Sequence, residues 1–199
     1  MRMWEAVSTK TMALLDGVRT GKIVLDATAH PLGFIHAPLA DRRNGSRLRL
    51  HLWPEEPFEP QSPAWFVHRH AWPLRSFVVR GRIRDRRYRV IEAADGSSWL
   101  YNTVYKPGRS VLTPSSITVC CSPLNSSIEE QGSVYLVPPD AFHASEALIR
   151  SVTVAESGVP TGIPPVVVGE HFEREVSYRR RKVEPHDLRN VAAQIIEAT

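Results

Sequence analysis

The chain holds only two cysteines, and they are neighbours, Cys120 and Cys121. Adjacent cysteines disfavour an ordinary structural disulfide, and neither belongs to the Cys-x2-Cys spacing of a zinc pair, so a disulfide-stapled scaffold and a thiolate zinc site are both set aside. They read as reduced strand residues, one in the core and one facing a partner. No neighbouring histidine or helix N-terminus is evident to activate either as a nucleophile. Long apolar runs are missing too: none approaches the roughly 18 residues that a membrane span needs. The N-terminal residues MRMWEAVSTKTMALL lack the apolar core and small-residue cleavage site of a signal peptide, which predicts a cytoplasmic protein with no membrane partner. Lysine is scarce, so the net charge of +4 is carried almost wholly by arginine.

What remains is a chain of 199 residues, 42% hydrophobic, which suits one globular domain with a sizeable core. The arginines cluster at Arg82 to Arg89 (RIRDRRYR) and at Arg179 to Lys182 (RRRK). A nucleic-acid surface is one reading of such runs. The first run alternates as a strand with a solvated basic face, and the second is short and has no aromatic platform, so no nucleic-acid partner is expected.

Punctuation by Pro, Gly, Asn and Ser divides the chain into an N-terminal helical segment (1–22), a β-rich body (23–168) and a C-terminal extension (169–199). Helical spacing runs from Trp4 to Val18, and Leu188, Val191, Ala192, Ile195 and Ile196 give an apolar stripe to a helix from Asp187 to Ala198. The terminal helix is expected to pack on the body or on a second subunit, and a homodimer is expected. Strands are predicted at Arg47 to Trp53, Ala64 to His70, Ser76 to Val79, Arg82 to Ile91, Ser98 to Val104, Ile117 to Cys121, Ser133 to Val137 and Leu148 to Ala155. Eight or so strands imply an all-β sandwich or closed barrel. Residues 95–131 read as a long insert whose loops cap the barrel mouth.

Three histidines carry the chemistry. His68 and His70 sit two apart on a predicted strand, so they share a face, and His143 follows much later. Three converging imidazoles are a usual way to hold a catalytic divalent metal. In RLRLHLW the same period puts Arg47, Arg49, His51 and Trp53 on one face and Leu48, Leu50 and Leu52 on the other. The polar face either looks to solvent or lines a pocket; the pocket is favoured, because Phe66, His68 and His70 share one face of the metal-bearing strand. His30, His36, His171 and His186 have no such partners and read as hydrogen-bonded core or surface residues.

The segment His68-Arg-His70-Ala-Trp-Pro-Leu74-x6-Gly81 resembles the first cupin motif, and Gly132-SVYLV-Pro138-Pro-Asp140-Ala-Phe-His143 resembles the second. Every spacing fits; Leu74 stands in place of the metal-binding Glu and Asp140 in place of a glycine. That likeness implies an all-β cupin fold, a double-stranded β-helix or jelly-roll barrel with short N- and C-terminal helices. A centre of three histidines without the carboxylate is similar to that of the cysteine dioxygenase-like thiol dioxygenases, and Trp53 before the His pair adds to the likeness, which covers roughly residues 47–155. Of that family's late Ser-His-Tyr set only Ser151 is kept, Arg75 stands at its pocket-cysteine position, and Arg42 or Arg43 is the loose counterpart of its substrate-gripping arginine.

The resemblance implies Fe(II) held by His68, His70 and His143, with open positions for a small anionic thiol or carboxylate substrate and for dioxygen, both of whose atoms end on the substrate. Arg49 and Arg75 are candidates to pair with the substrate's anionic group, and Trp72 and Phe142 to wall the pocket. Arg75, His51 and Tyr101, with Tyr105, are candidate acid/base or orienting groups. Two other readings stay open. Zn(II) or another divalent metal in the same ligands would serve isomerisation, hydrolysis or condensation; a barrel without catalysis would be a small-ligand-binding module.

Overall fold

The computed structural model describes residues 3–170 and 174–197, so His171 and Ala198 lie outside the described residues. Helix α1 (Met3–Arg19) opens the chain, and three strands follow: β1 (Thr28–Ala29), β2 (Ile35–Asp41) and β3 (Arg47–Trp53). The middle of the chain supplies β4 (His68–Arg69), β5 (Leu74–Arg80), β6 (Arg82–Glu92), β7 (Ser98–Lys106) and β8 (Arg109–Glu130). After them come β9 (Val134–Val137), β10 (Phe142–Ala147), β11 (Ser151–Ser157), β12 (Val166–Gly169), β13 (Val176–Arg179) and helix α2 (Pro185–Glu197).

The strands form two antiparallel sheets. One runs β1-β2-β3-β11-β5-β9, the other β13-β8-β6-β10-β4-β12-β7. In the second, the first half of the long β8 also pairs with β7 while its second half pairs with β6, so the pairings close on themselves. Residues 95–131 are therefore mainly paired strand, not capping loops: β7 and β8 make a hairpin, and only its tip reaches the cavity described below. The expected C-terminal extension is likewise part of the body. A boundary at 168 would cut β12, and β13 pairs with β8 in register from Val176↔Leu112 to Arg179↔Arg109. Among the described residues no helix is long and apolar enough to cross a membrane.

The alternation in β3 explains how the layers stack. Leu50 and Leu52 point outward from the first sheet into a core shared with Leu15 and Val18 of α1 and with Leu188, Val191, Ala192 and Ile195 of α2. Each such leucine, isoleucine or valine contributes roughly 1.5–3 kcal/mol on full burial, which fixes both helices to the sheet. Helix α1 has Glu5 in its first turn and Arg19 in its last, matching the helix dipole. It ends where Gly21 takes φ of 73° and donates to the Val18 carbonyl. Helix α2 starts on Pro185, whose missing N–H costs nothing there. The inner face of the first sheet packs on the second through Phe34, Trp53, Val78, Ile83, Tyr135 and Val137.

Gly81 joins β5 to β6 at φ of 86°, and a Cβ there would lie 2.2 Å from Ser151 Oγ and 2.6 Å from the Arg150 carbonyl oxygen. Only glycine fits. Gly132 also has a positive φ, 89°, with open space around it. Asp140 does not: Glu59 is the only non-glycine residue with positive φ among those described, so the turn at Pro138 to Ala141 has no need of the glycine its motif would lead one to expect.

The arginine run of β6 is solvated and paired, with Arg82 to Glu130 at 3.0 Å, Arg84 to Glu146 at 2.7 Å and Arg86 to Glu146 at 2.8 Å. Both cysteines are free on β8, Cys120 exposed and Cys121 half-buried, so neither is a fully buried core residue.

Candidate metal centre

Two-residue periodicity and one strand register bring the three histidines together. His68 and His70 lie on one side of β4 and its continuation, and His143 of β10 stands directly opposite His68 in the antiparallel pair. The rings are 4.7 Å apart for His68 and His70, 4.7 Å for His68 and His143, and 5.1 Å for His70 and His143. One ligand nitrogen from each lies within 4.8 Å of the others.

Hydrogen bonds set the tautomers. His68 Nδ1 lies 2.8 Å from the Phe66 carbonyl oxygen, which can only accept, so Nδ1 carries the proton and Nε2 is left as a lone pair. His143 Nδ1 lies 2.8 Å from Asp85 Oδ1, with the same consequence. Burial, then the facing His143 ring, pulls His68 down to about 3. Burial and the other two imidazoles hold His70 well below its ordinary value. Anchoring the outer nitrogens of His68 and His143 turns their inner nitrogens toward the point where a divalent ion would sit. The spacing agrees: His70 Nε2 and His143 Nε2 are 3.1 Å apart. Two nitrogens each ~2.0–2.1 Å from one ion at octahedral to tetrahedral angles lie about 2.8–3.4 Å apart. The residues present therefore fit a metal.

Asp85 supports this arrangement, and the sequence reading missed it. It is buried on β6, in register with Ser145 and diagonal to His143. Burial alone would raise its carboxyl, but the His143 hydrogen bond, with Arg87 at 2.6 Å and Ser145 Oγ at 3.0 Å, holds it below its usual value. The signal was there in RIRDRRYR: the single acid of the run shares its parity with Ile83, which is fully buried.

The cluster opens into a cavity of about 420 Å³. Arg49, His51, Trp53, Trp72 and Leu74 line it, so the pocket reading of β3 holds and Leu74 presents an apolar wall beside the histidines. Trp72 stacks on His70 with centroids 5.9 Å apart, and the Arg49 guanidinium carbon lies 5.5 Å from the Trp72 ring centroid. His51 packs among Phe34, His36 and Trp53, and burial with the nearby His36 and Arg49 keeps it well below its ordinary value. His30 and His36, read as ordinary from sequence, also line the cavity; burial lowers His30 well below its ordinary value and His36 to about 4.

Several expected site residues lie elsewhere. Arg75 alternates with Leu74 and Ser76 and so points to the opposite face of β5, where it pairs with Glu156 beside Arg42 and lies over Trp4. Tyr101 is fully buried against Trp65 and donates its hydroxyl proton to the Glu170 carbonyl, 2.8 Å away. Phe142 packs with Val119, Val166 and Val168 under Arg69. Phe66 is 47% exposed, because β4 begins only at His68 and the shared face does not extend back to it. Arg180 was not foreseen at all: the RRRK run looked like a solvated tail, yet its second arginine turns into the cavity.

Fold and site together define a mostly β protein of two antiparallel sheets with a three-histidine cluster that could hold a metal. No protein-family model matches the chain, and no curated protein is found similar to it.

Proposed function

We propose that the chain is a cupin of the three-histidine kind and a metal-dependent enzyme, a mononuclear non-haem Fe(II) dioxygenase acting on a small anionic thiol or carboxylate substrate. One observation carries this reading: three imidazoles, with their ligand nitrogens within 4.8 Å of one another, converge on an arginine-lined cavity in which Leu74 offers an apolar wall. His68, His70 and His143 would hold the ion, and Fe(II) bound there would supply open positions for substrate and dioxygen.

The chain's own residues do the rest. Asp85 keeps the proton on His143 Nδ1, so that ring presents its lone pair inward in one fixed orientation. Arg49 offers the substrate anion a guanidinium, held by the Trp72 ring beneath it. Phe34, Trp53 and Leu74 make the cavity wall apolar beside the histidines, which limits water there and strengthens each charge interaction. His51, kept neutral by burial, is placed to hydrogen-bond and orient a bound substrate group rather than to take its proton.

The test is metal analysis of anaerobically purified protein, followed by oxygen uptake with small thiols and carboxylates. Stoichiometric iron and substrate-dependent uptake are expected. Stoichiometric zinc without uptake would turn the reading to non-redox zinc chemistry, which the Asp85–His143 pair would serve equally well. No metal at all, with His68→Ala leaving ligand binding unchanged, would leave a binding module.

A further inference from the structure

Among the described residues the cavity is lined by no aspartate or glutamate, yet Arg47, Arg49, Lys106, Arg109 and Arg180 all border it. Arg47 has Asp41 at 3.4 Å, and Lys106 and Arg109 are exposed at the turn of the β7–β8 hairpin. Arg49 and Arg180 differ: both are half-buried, and neither has a carboxylate partner among the described residues. Arginines on the other face of the sheet that carries Arg49 are treated otherwise, since Arg42 and Arg75 share Glu156. Two partly desolvated guanidiniums facing one cavity without a counter-charge are costly unless a ligand supplies it.

Hydrogen-bond donors around them are also unspent. Trp72 Nε1 is buried and has no partner. Arg180 donates from Nε at 3.2 Å and Nη2 at 3.0 Å to Ser110 Oγ, which leaves the Ser110 hydroxyl proton and Arg180 Nη1 to give. Tyr105, with its ring centroid 6.0 Å from that of Trp72, adds a phenol at the mouth. The basic hairpin turn outside would draw anions inward.

We propose that Arg49 and Arg180, with the Trp72 indole N–H, Tyr105 and Ser110, form a subsite for a doubly charged oxyanion, the phosphate monoester or phosphonate end of a substrate whose other end faces the three histidines. Two cations with no ion-pair partner among the described residues call for two negative charges, more than one carboxylate brings. A tetrahedral dianion also has enough acceptor oxygens for donors arriving from β3, β7, β8 and the segment after β13. Assigning this anion to the substrate rests on the proposed function; the subsite itself needs no metal.

The test is calorimetric titration of metal-free full-length protein at pH 7.5 with inorganic phosphate, methylphosphonate and acetate. Phosphate and methylphosphonate should bind at least tenfold more tightly than acetate, and Arg180→Gln and Arg49→Gln should each weaken phosphate at least tenfold. Arg180→Lys should recover part of the loss. Acetate binding as well as phosphate, or either glutamine variant, shown folded by circular dichroism, keeping phosphate affinity within twofold, would overturn the subsite. Zinc titration of the same samples separates the two readings. Metal uptake without phosphate binding overturns the subsite alone, and phosphate binding without metal uptake supports the subsite while overturning the metalloenzyme.

Discussion

Replacing Asp85 by asparagine changes one buried charge and almost no volume, so it isolates what the carboxylate does for the three-histidine cluster. In the parent, Asp85 Oδ1 accepts from His143 Nδ1 at 2.8 Å, and the same side chain takes Arg87 at 2.6 Å and Ser145 at 3.0 Å. Asparagine can still accept from His143, but as a neutral group, and its amide can instead donate and favour the tautomer with Nδ1 bare. Loss of an anionic partner to a metal-binding histidine costs about 10- to 100-fold in metal affinity, or ~1.4–2.7 kcal/mol. Folding should suffer separately. Arg87 loses its carboxylate, yet its side chain is 20% exposed and it also donates to the Leu136 carbonyl, so the cost should stay near 1–3 kcal/mol, below that of a fully buried broken pair. Competition of Zn(II) or Co(II) against a chromogenic chelator gives the affinity, and urea unfolding of metal-free protein gives the stability. An Asp85→Asn protein that is folded and binds metal within twofold of the parent would refute the role assigned to Asp85.

Four further outcomes follow from the structure. His143→Ala and His68→Ala should each abolish stoichiometric metal binding, read by elemental analysis after dialysis. Gly81→Ala should cost roughly 2–5 kcal/mol in urea unfolding, from a positive φ and a clash with fixed backbone, while Gly132→Ala, strained but unobstructed, should cost only about 1–2 kcal/mol. Acid should destabilise the metal-free protein: with His36 lowered to about 4 and His68 to about 3, the unfolded chain takes up protons below its ordinary value near 6.5 that the fold refuses. Stability is then full above about pH 6.5 and falls with pH by up to ~1.4 kcal/mol per unit for each such histidine, so a urea midpoint unchanged from pH 7.5 to 5 would contradict the buried neutral cluster. Arg75→Gln should leave metal affinity unchanged and cost no more than ~1 kcal/mol, because the Arg75 side chain is 42% exposed and its ion pair with Glu156 lies on the far face of β5.

How much of this was legible depended on whether a residue's neighbours were local. The period of two placed Arg49 and His51 with Trp53 and put His68 with His70, because strand alternation needs no knowledge of the partner strand. Strand β3 was read to the residue, since its ends are marked by Gly45-Ser46 and Pro54. Other elements were hidden. Strand β10, which carries His143, is not among the predicted strands; β12 follows the Pro- and Gly-rich run 158–165 and β13 lies in a charged stretch, and pairing with β7 and β4 or with β8 makes each extended. Arg75 follows Leu74 on β5, so alternation alone turns it away from the face that Leu74 shares with the cavity. His30, His36 and Arg180 come from opposite ends of the chain, and nothing in their local sequence reveals that both ends return to the same cavity.

Charge connects these observations. Had Leu74 been a carboxylate, a divalent ion would sit with one anionic ligand; three neutral imidazoles leave both of its charges uncompensated. Asp85 does not lower that total at the cavity, because it lies behind His143 and is itself balanced by Arg87. Arg49 and Arg180 then add two more positive charges to a space walled on one side by Phe34, Trp53 and Leu74, where opposite charge is felt strongly. Half-buried positive charge of this size favours an anionic occupant, so the same arrangement that weakens the cavity's fit to neutral molecules selects for anions bearing more than one charge. Anion and metal should therefore bind with positive coupling: phosphate affinity measured with Zn(II) present should exceed that of metal-free protein, and by linkage zinc affinity should rise by the same factor in phosphate. Independent binding would mean that the two positively charged regions are screened from each other, and that one molecule does not span them.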